Sequence, residues 1–324
     1  MIQRLLGTMP AWATSDHPVL RSHREAKRGK SGGRYTRIAG ALLSLVILSF
    51  IGYGAASDFF THDPLDLPIS EMLTRGLLYP VYMVQIVMVG VVLMSTIGMI
   101  GHYQRRGLWD TVRATSHGAG LTLRTRWAHL LFYRLRGSLA AIMGGRLVLI
   151  AALLYDLTAF QGEYLRSLTG GITPDVAPVA AVILLALTMA AVLLLPVTTL
   201  GLDAALGLLL ATYIKRRAYV ALAQITIITV RVMVSLALLL MFSTLSTAPL
   251  DSGGWLAWVL VFAFAALGDW GFSLLYLGFY GAEVWRDIPY GVLIGAALMG
   301  YVLLQALLAD ALLGYATRRA ERAD

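Results

Sequence analysis

The chain contains no cysteine, which excludes disulfides, thiolate metal ligands and cysteine nucleophiles together. Charge is scarce as well: 14% of the 324 residues are Asp, Glu, Lys or Arg, against 58% hydrophobic, and the mean hydropathy is +0.73. A water-soluble domain of this length cannot cover itself with so little charge. Histidine is rare too. His17, His23, His62, His102, His117 and His129 are scattered through flanks and loops, without the spacing that two ligands on one helix face require. No metal site, no haem or pigment ligation and no other cofactor is expected. A phosphate loop is also missing: Gly29-Lys30-Ser31 resembles the end of one, but Arg24 stands where the leading glycine belongs and no strand precedes it.

What the chain does have is long apolar runs separated by basic tracts. Twenty-one of the 26 Lys and Arg residues fall in Met1 to Arg37, Gly101 to Ser138, Lys215 to Arg217 and the last seven residues from Arg318. Cytoplasmic loops of membrane proteins carry an excess of Lys and Arg, so these tracts mark the inner ends of the apolar segments. The net charge of +8 is explained by insertion and by anionic lipid headgroups, and nucleic acid is not an expected partner. The first apolar run follows more than thirty polar residues and is too long for a signal-peptide core, so it is read as a retained span.

A bilayer-spanning helix needs about 20 mainly apolar residues. Ile38 to Ala56, Leu78 to Gly101, Leu139 to Phe160 and Tyr219 to Ser246 meet that requirement. Pro178 to Ile214 is long for one span and short for two. Two crossings would put Lys215, Arg216 and Arg217 outside, so it is read as one helix kinked near Pro196. Trp255 to Tyr280 is interrupted by Gly268-Asp269-Trp270-Gly271, and a full crossing there would leave Arg318, Arg319 and Arg322 outside. It reads instead as an outer re-entrant hairpin whose turn is Gly268, Asp269 and Gly271, followed by a last span over Ile288 to Ala316.

The expected fold is therefore an all-α polytopic membrane protein with six transmembrane helices plus an outer re-entrant helical hairpin; seven spans is the alternative. A basic cytoplasmic N-terminal segment, 1–37, precedes a single transmembrane domain, 38–316, with a cytoplasmic loop at 101–138 and the re-entrant segment at 255–280. A basic cytoplasmic tail, 317–324, ends the chain. Both termini are expected inside a plasma (inner) membrane. Ser57 to Leu77 forms the first outer connection, where Asp58, Asp63, Asp66 and Glu71 face a single Arg75, and where Pro64 and Pro68 interrupt any helix.

Ionisable residues within apolar spans are costly unless paired or hydrated, and four are evident here: Arg146, Asp156, Asp203 and Arg231. Asp203 lies eleven residues before Ile214, and Arg231 lies thirteen after Ala218. At about 1.5 Å per residue they reach similar depths on adjacent antiparallel helices. Two readings of this pair stand: a polar element of a substrate path, or a buried ion pair that fixes helix register. Arg146, near the inner third, is placed to snorkel, and Asp156 lies close to the outer surface.

The loop from Gly101 to Ser138 is far longer than a connection needs. Leu108, Val112, Leu121, Leu123, Trp127, Leu130 and Leu131 recur at helix-compatible spacing among seven arginines. This suits either an amphipathic helix at the membrane surface or a docking surface for a soluble partner. Here the sequence resembles the permease subunits of type-2 ATP-binding-cassette transporters, the exporter-like class. Asp16-His17-Pro18-Val19-Leu20-Arg21 is similar to that family's N-terminal Asn-Pro element. The run from Gln104, Arg105, Arg106 and Gly107 through Trp109, Asp110, Thr111, Arg113 and Thr115 is similar to the element following its second span. Gln104 replaces the family's acidic residue, and Ser116-His117 stands where proline is common.

The resemblance implies a non-enzymatic transport subunit, with a nucleotide-binding ATPase subunit as partner and a second permease half completing a homo- or heterodimer. It also implies that Arg105, Arg106, Trp109, Asp110, Arg113 and Thr115 form the ATPase-docking loop. The alternative is a permease-like accessory or scaffold subunit of a respiratory or photosynthetic complex without transport activity.

Overall fold

The computed structural model describes residues 69–105, 109, 118–158, 178–214, 216–245, 254–267 and 288–322. Among them there is no strand. The helices are α1 (Ile69–Ile97), α2 (Met99–Arg105), α3 (Gly118–Ala128), α4 (Arg136–Thr158), α5 (Pro178–Tyr213), α6 (Arg217–Leu245), α7 (Gly254–Leu267) and α8 (Ile288–Arg322). A π-helical stretch, His129–Arg134, joins α3 to α4. Expectations about Ile38 to Ala56 and about Gly268, Asp269 and Gly271 lie outside the described residues.

Four helical segments are long and apolar enough to cross a membrane: Arg136–Thr158, Val182–Tyr213, Arg217–Leu238 and Gly295–Arg322; within α1, Val84–Ile97 adds a shorter apolar stretch. The chain is an integral membrane protein. Its surface agrees, because α6 leaves Leu222, Ile225, Val230 and Met233 exposed. Large contiguous apolar faces of this kind are rare on soluble monomers and ordinary in lipid.

Pro178 begins α5, where a proline costs no hydrogen bond, and the 36-residue helix continues through Pro196 without a break in assignment. At about 1.5 Å per residue it is roughly 54 Å long, more than one bilayer core. Helix α1 differs from expectation at its start. It begins directly after Pro68 and takes in residues 69–77 of the expected outer connection, because Glu71 and Arg75 lower the local hydropathy without disfavouring a helix.

Helix α5 is the hub. Its largest interface is with α8, and it also meets α1, α4, α2, α3 and the π-helical stretch. The directions follow from the contacts. A Cβ on Gly295 would meet Thr188, and one on Gly207 would meet Thr96. Thr198 bonds Gln305, and the Tyr213 and Tyr315 hydroxyls are 3.2 Å apart. Residue numbers rise together in both pairs, so α5 runs parallel to α8 and to α1. Helix α6 runs back along α5 and α1, with Gln224 Nε2 donating to the Met94 carbonyl at 2.9 Å. Leu245 and Ile288 therefore lie at the same end of the bundle.

At the opposite end three of the basic tracts meet. Arg319 stacks over the Tyr213 ring at 3.6 Å, Arg216 and Arg217 come three and four residues after Tyr213, and Gly120 of the long loop lies against Thr317 and Glu321. Interfacial tyrosines and basic residues at one level are the expected signature of a membrane–water boundary.

Two apolar clusters hold this arrangement. The larger fills the spans, with Val92, Leu93, Ile142, Leu149, Leu153, Leu195 and Leu298 fully or nearly fully buried. The smaller sits at the basic end and joins Met99, Ile100, Trp109, Leu123, Leu208, Leu313 and Ala316. Among the described residues of the loop, α3 is folded onto the ends of α5 and α8. Gly118 at φ +60° permits the turn into α3, a conformation that other residues adopt at a cost.

Candidate functional site

The polar groups inside the bundle gather around α5 between Val192 and Asp203, about 16 Å of helix. Each belongs to a different helix interface. At the α1–α4–α5 contact, Arg146 is completely buried; its Nη2 donates to Gln85 Oε1 at 2.9 Å and its Nη1 donates to the Val192 carbonyl. It does not snorkel. The glycine pair Gly144-Gly145 precedes it on α4 and α1 approaches closely there, since a Cβ on Gly145 would reach Val81 at 3.6 Å. The guanidinium therefore finds its acceptors inside the bundle. Charged hydrogen bonds in such a setting are strong, and their loss strands a buried charge.

At the α5–α8 contact, Thr198 Oγ1 donates to Gln305 Oε1 at 2.7 Å and Gln305 Nε2 donates to Thr199 Oγ1 at 3.3 Å. A side-chain amide between two threonines engages one of its two N–H donors and its carbonyl oxygen without water. Toward the end opposite the basic one, Asp156 is buried and its Oδ2 accepts the Ser70 backbone N–H at 2.7 Å. Ser70 is the second residue of α1, so the carboxylate neutralises an orphan amide and the positive end of that helix.

The third group is the one with functional geometry. Arg231 is the fifteenth of the 29 residues of α6, its midpoint. Its Nε lies 3.8 Å from Asp203 Oδ2, and its Nη1 donates to the Leu267 carbonyl at 2.9 Å. Leu267 is the last described residue of α7, a 14-residue helix of about 21 Å. The last described turn of α7 thus lies at the mid-depth of α6, with its Leu267 carbonyl against the guanidinium. Among the described residues Asp203 Oδ2 has no hydrogen-bond partner. The arrangement brings a carboxylate oxygen, a guanidinium and a backbone carbonyl together halfway along the spans.

The expected docking loop is only partly within view. Arg105 ends α2, while Arg106, Asp110, Arg113 and Thr115 lie outside the described residues. Trp109 is 5% exposed and belongs to the smaller apolar cluster. Its ring anchors this part of the loop to the bundle. Elsewhere in the loop, Arg126 has its pKa lowered, first by burial, with the neighbouring Arg134 pushing the same way. A flattened run of four buried residues, Ala128 to Leu131, coincides with the π-helical turn, which brings more than one helix face against the spans.

Gln85, Gln305 and Asp310 were not legible as site residues. The amides carry no charge to stand out in an apolar run, and Asp310 lies near the inner end of the last span, where an acidic residue attracts little notice. No group of three His, Asp or Glu among the described residues converges as a metal site. No family model matches the chain, nor does any curated protein or solved structure.

Proposed function

We propose that the chain is the membrane-spanning permease subunit of an ATP-driven transporter, moving its substrate across the plasma (inner) membrane with a separate ATPase subunit and performing no chemistry itself. The observation that carries this reading is the Leu267 carbonyl of α7 at mid-depth against Arg231, beside Asp203. A re-entrant turn following Leu267 would be tolerated at that depth only where protein covers it or it lines a water-filled cavity, and discontinuous helices recur at transport sites. In this reading Trp255 to Tyr280 is the re-entrant hairpin, and six spans leave both termini cytoplasmic. The parallel course of α5 and α8 supports it, because a full crossing between α6 and α8 would reverse α8. The convergence of Arg216, Arg217 and Arg319 at one end supports a cytoplasmic basic face.

The ATP-driven part rests on the resemblance of the loop around Arg105 to Thr115, together with its packing. Helices α2 and α3 are bound to the ends of α5 and α8 by the smaller apolar cluster, so force applied to the loop would reach the spans directly. The second permease half would complete the transporter as a homo- or heterodimer.

The second reading, an accessory or scaffold subunit of a larger membrane complex, is favoured by one observation: the polar groups around α5 are mostly bonded to one another within a dense apolar interior. Purification from the native membrane in mild detergent, with mass spectrometry and an ATP-hydrolysis assay, separates the two. The permease reading expects an ATPase subunit that is lost on combining Arg106→Glu with Arg113→Glu. Recovery within an electron-transfer or light-harvesting assembly without an ATPase would establish the second reading.

A further inference from the structure

A cavity of about 280 Å³ opens between the α3–π segment, α5 and α8. Trp127, Leu131, Phe132, Val197 and Leu313 supply its apolar wall, and Arg124 and Asp310 its charge. The polar groups of the wall are otherwise engaged: Trp127 Nε1 donates to the Gly201 carbonyl at 2.8 Å, and the Thr198 hydroxyl is held by Gln305. Gly201 permits this approach, since a Cβ there would come within 3.3 Å of the indole ring.

The cavity has a direction. Gly120 lies against Thr317, and α3 runs antiparallel to α8, so Arg124, one turn later, comes beside Leu313 near the Tyr213–Tyr315 level. From Leu313 back to Ala306 the lining of α8 extends about 10 Å toward the bilayer centre. Phe132 is 40% exposed, so the wall reaches the lipid-facing surface. Charge thus sits at the boundary end and apolar surface at the deep end, which is the polarity of a phospholipid in that leaflet. The charges are of both signs. A zwitterionic headgroup with a free amine matches both, whereas an anionic headgroup would face Asp310.

We infer that this cavity seats one aminophospholipid of the leaflet at the basic end. Its phosphate contacts Arg124, its ammonium contacts Asp310, and part of an acyl chain lies against Trp127, Leu131, Phe132 and Val197. At 280 Å³ the cavity is at the small end of ligand sites, so the remainder of the lipid stays in the bilayer. This inference needs only the membrane placement of the spans and stands or falls apart from the transport reading.

The test uses full-length protein, delipidated in mild detergent and resupplied with phosphatidylethanolamine or phosphatidylglycerol. Bound lipid is counted by native mass spectrometry and the melting temperature is recorded in parallel. The wild type is expected to retain one phosphatidylethanolamine in preference to phosphatidylglycerol by roughly fivefold, the scale of an exposed charge contact. Asp310→Asn, which preserves shape, should remove the preference while leaving lipid-free melting unchanged. Ala306→Trp, which fills the cavity from an exposed position, should abolish retention. Equal retention of both lipids by the wild type, preference for phosphatidylglycerol, or undiminished retention by Ala306→Trp would each overturn the inference.

Discussion

Arg231 donates to the carbonyl of Leu267 at 2.9 Å from the midpoint of α6, and in doing so ties the last described turn of α7 to the mid-depth of α6. The same guanidinium lies 3.8 Å from Asp203. One side chain thereby bonds α7, balances a buried carboxylate and ties α6 to α5.

Removing that side chain strands both partners. Arg231→Ala is expected to destabilise the protein by about 2–3 kcal/mol, below the range for a fully buried pair because Arg231 is one-quarter exposed. Arg231→Met combined with Asp203→Leu should recover most of that loss, since neither charge is then left alone. Thermal unfolding in detergent, run as a double-mutant cycle, measures the difference. Additive losses would show that the two residues do not interact.

Arg146 makes a sharper case because it is fully buried. Arg146→Lys keeps the charge but cannot reach Gln85 and the Val192 carbonyl with a forked donor, and should cost about 2 kcal/mol or more. Gln85→Leu removes the acceptor at 2.9 Å and should cost a similar amount. Melting temperatures of the two variants check this; a snorkelling arginine would tolerate both changes.

Close helix contacts at α5 depend on two glycines. A Cβ on Gly207 would collide with the Thr96 side chain, and one on Gly295 would lie 2.8 Å from the Leu184 carbonyl. Gly207→Ala and Gly295→Ala are expected to destabilise by about 1–3 kcal/mol through overpacking. Gly300→Ala, where nothing lies within 4 Å, should be neutral or slightly stabilising, because alanine is the better helix former. Unfolding midpoints of the three variants compare them directly.

Trp109 is expected to act on stability before partner binding. Trp109→Ala opens a cavity in the cluster with Met99, Leu208 and Leu313 and should cost about 3–5 kcal/mol, the scale of a large buried aromatic. Limited proteolysis of the loop at 101–138 should accelerate in this variant. A docking tryptophan facing a partner would leave the isolated protein's stability unaltered.

Much of the helical layout was readable from hydropathy and charge alone. The basic residues after Ile214 argued for one long helix over Pro178 to Tyr213, and counting residues set Asp203 and Arg231 at matching depth. The contacts made across helices were not readable. Gln85 meets Arg146, and Gln305 meets Thr198, only because α1, α4, α5 and α8 assemble as they do, and neutral amides leave no trace in a hydropathy profile. Arg146 looked free to snorkel because its acceptors sit 61 and 46 residues away along the chain. The packing of α3 was unreadable for a related reason: its apolar residues suit a surface helix or a docking face equally, and the surface they cover is the end of α5 and α8.

The cysteine-free chain permits the most direct test of the central claim, that the segment between α6 and α8 enters and leaves the membrane on one side. Single cysteines at Ser252, Glu283, Arg216 and Arg319 are labelled in sealed vesicles with a membrane-impermeant maleimide. The account predicts that Ser252→Cys and Glu283→Cys react from the outer side and that Arg216→Cys and Arg319→Cys react only from the cytoplasmic side. Labelling of Ser252→Cys and Glu283→Cys from opposite sides would make the segment a full crossing and contradict it.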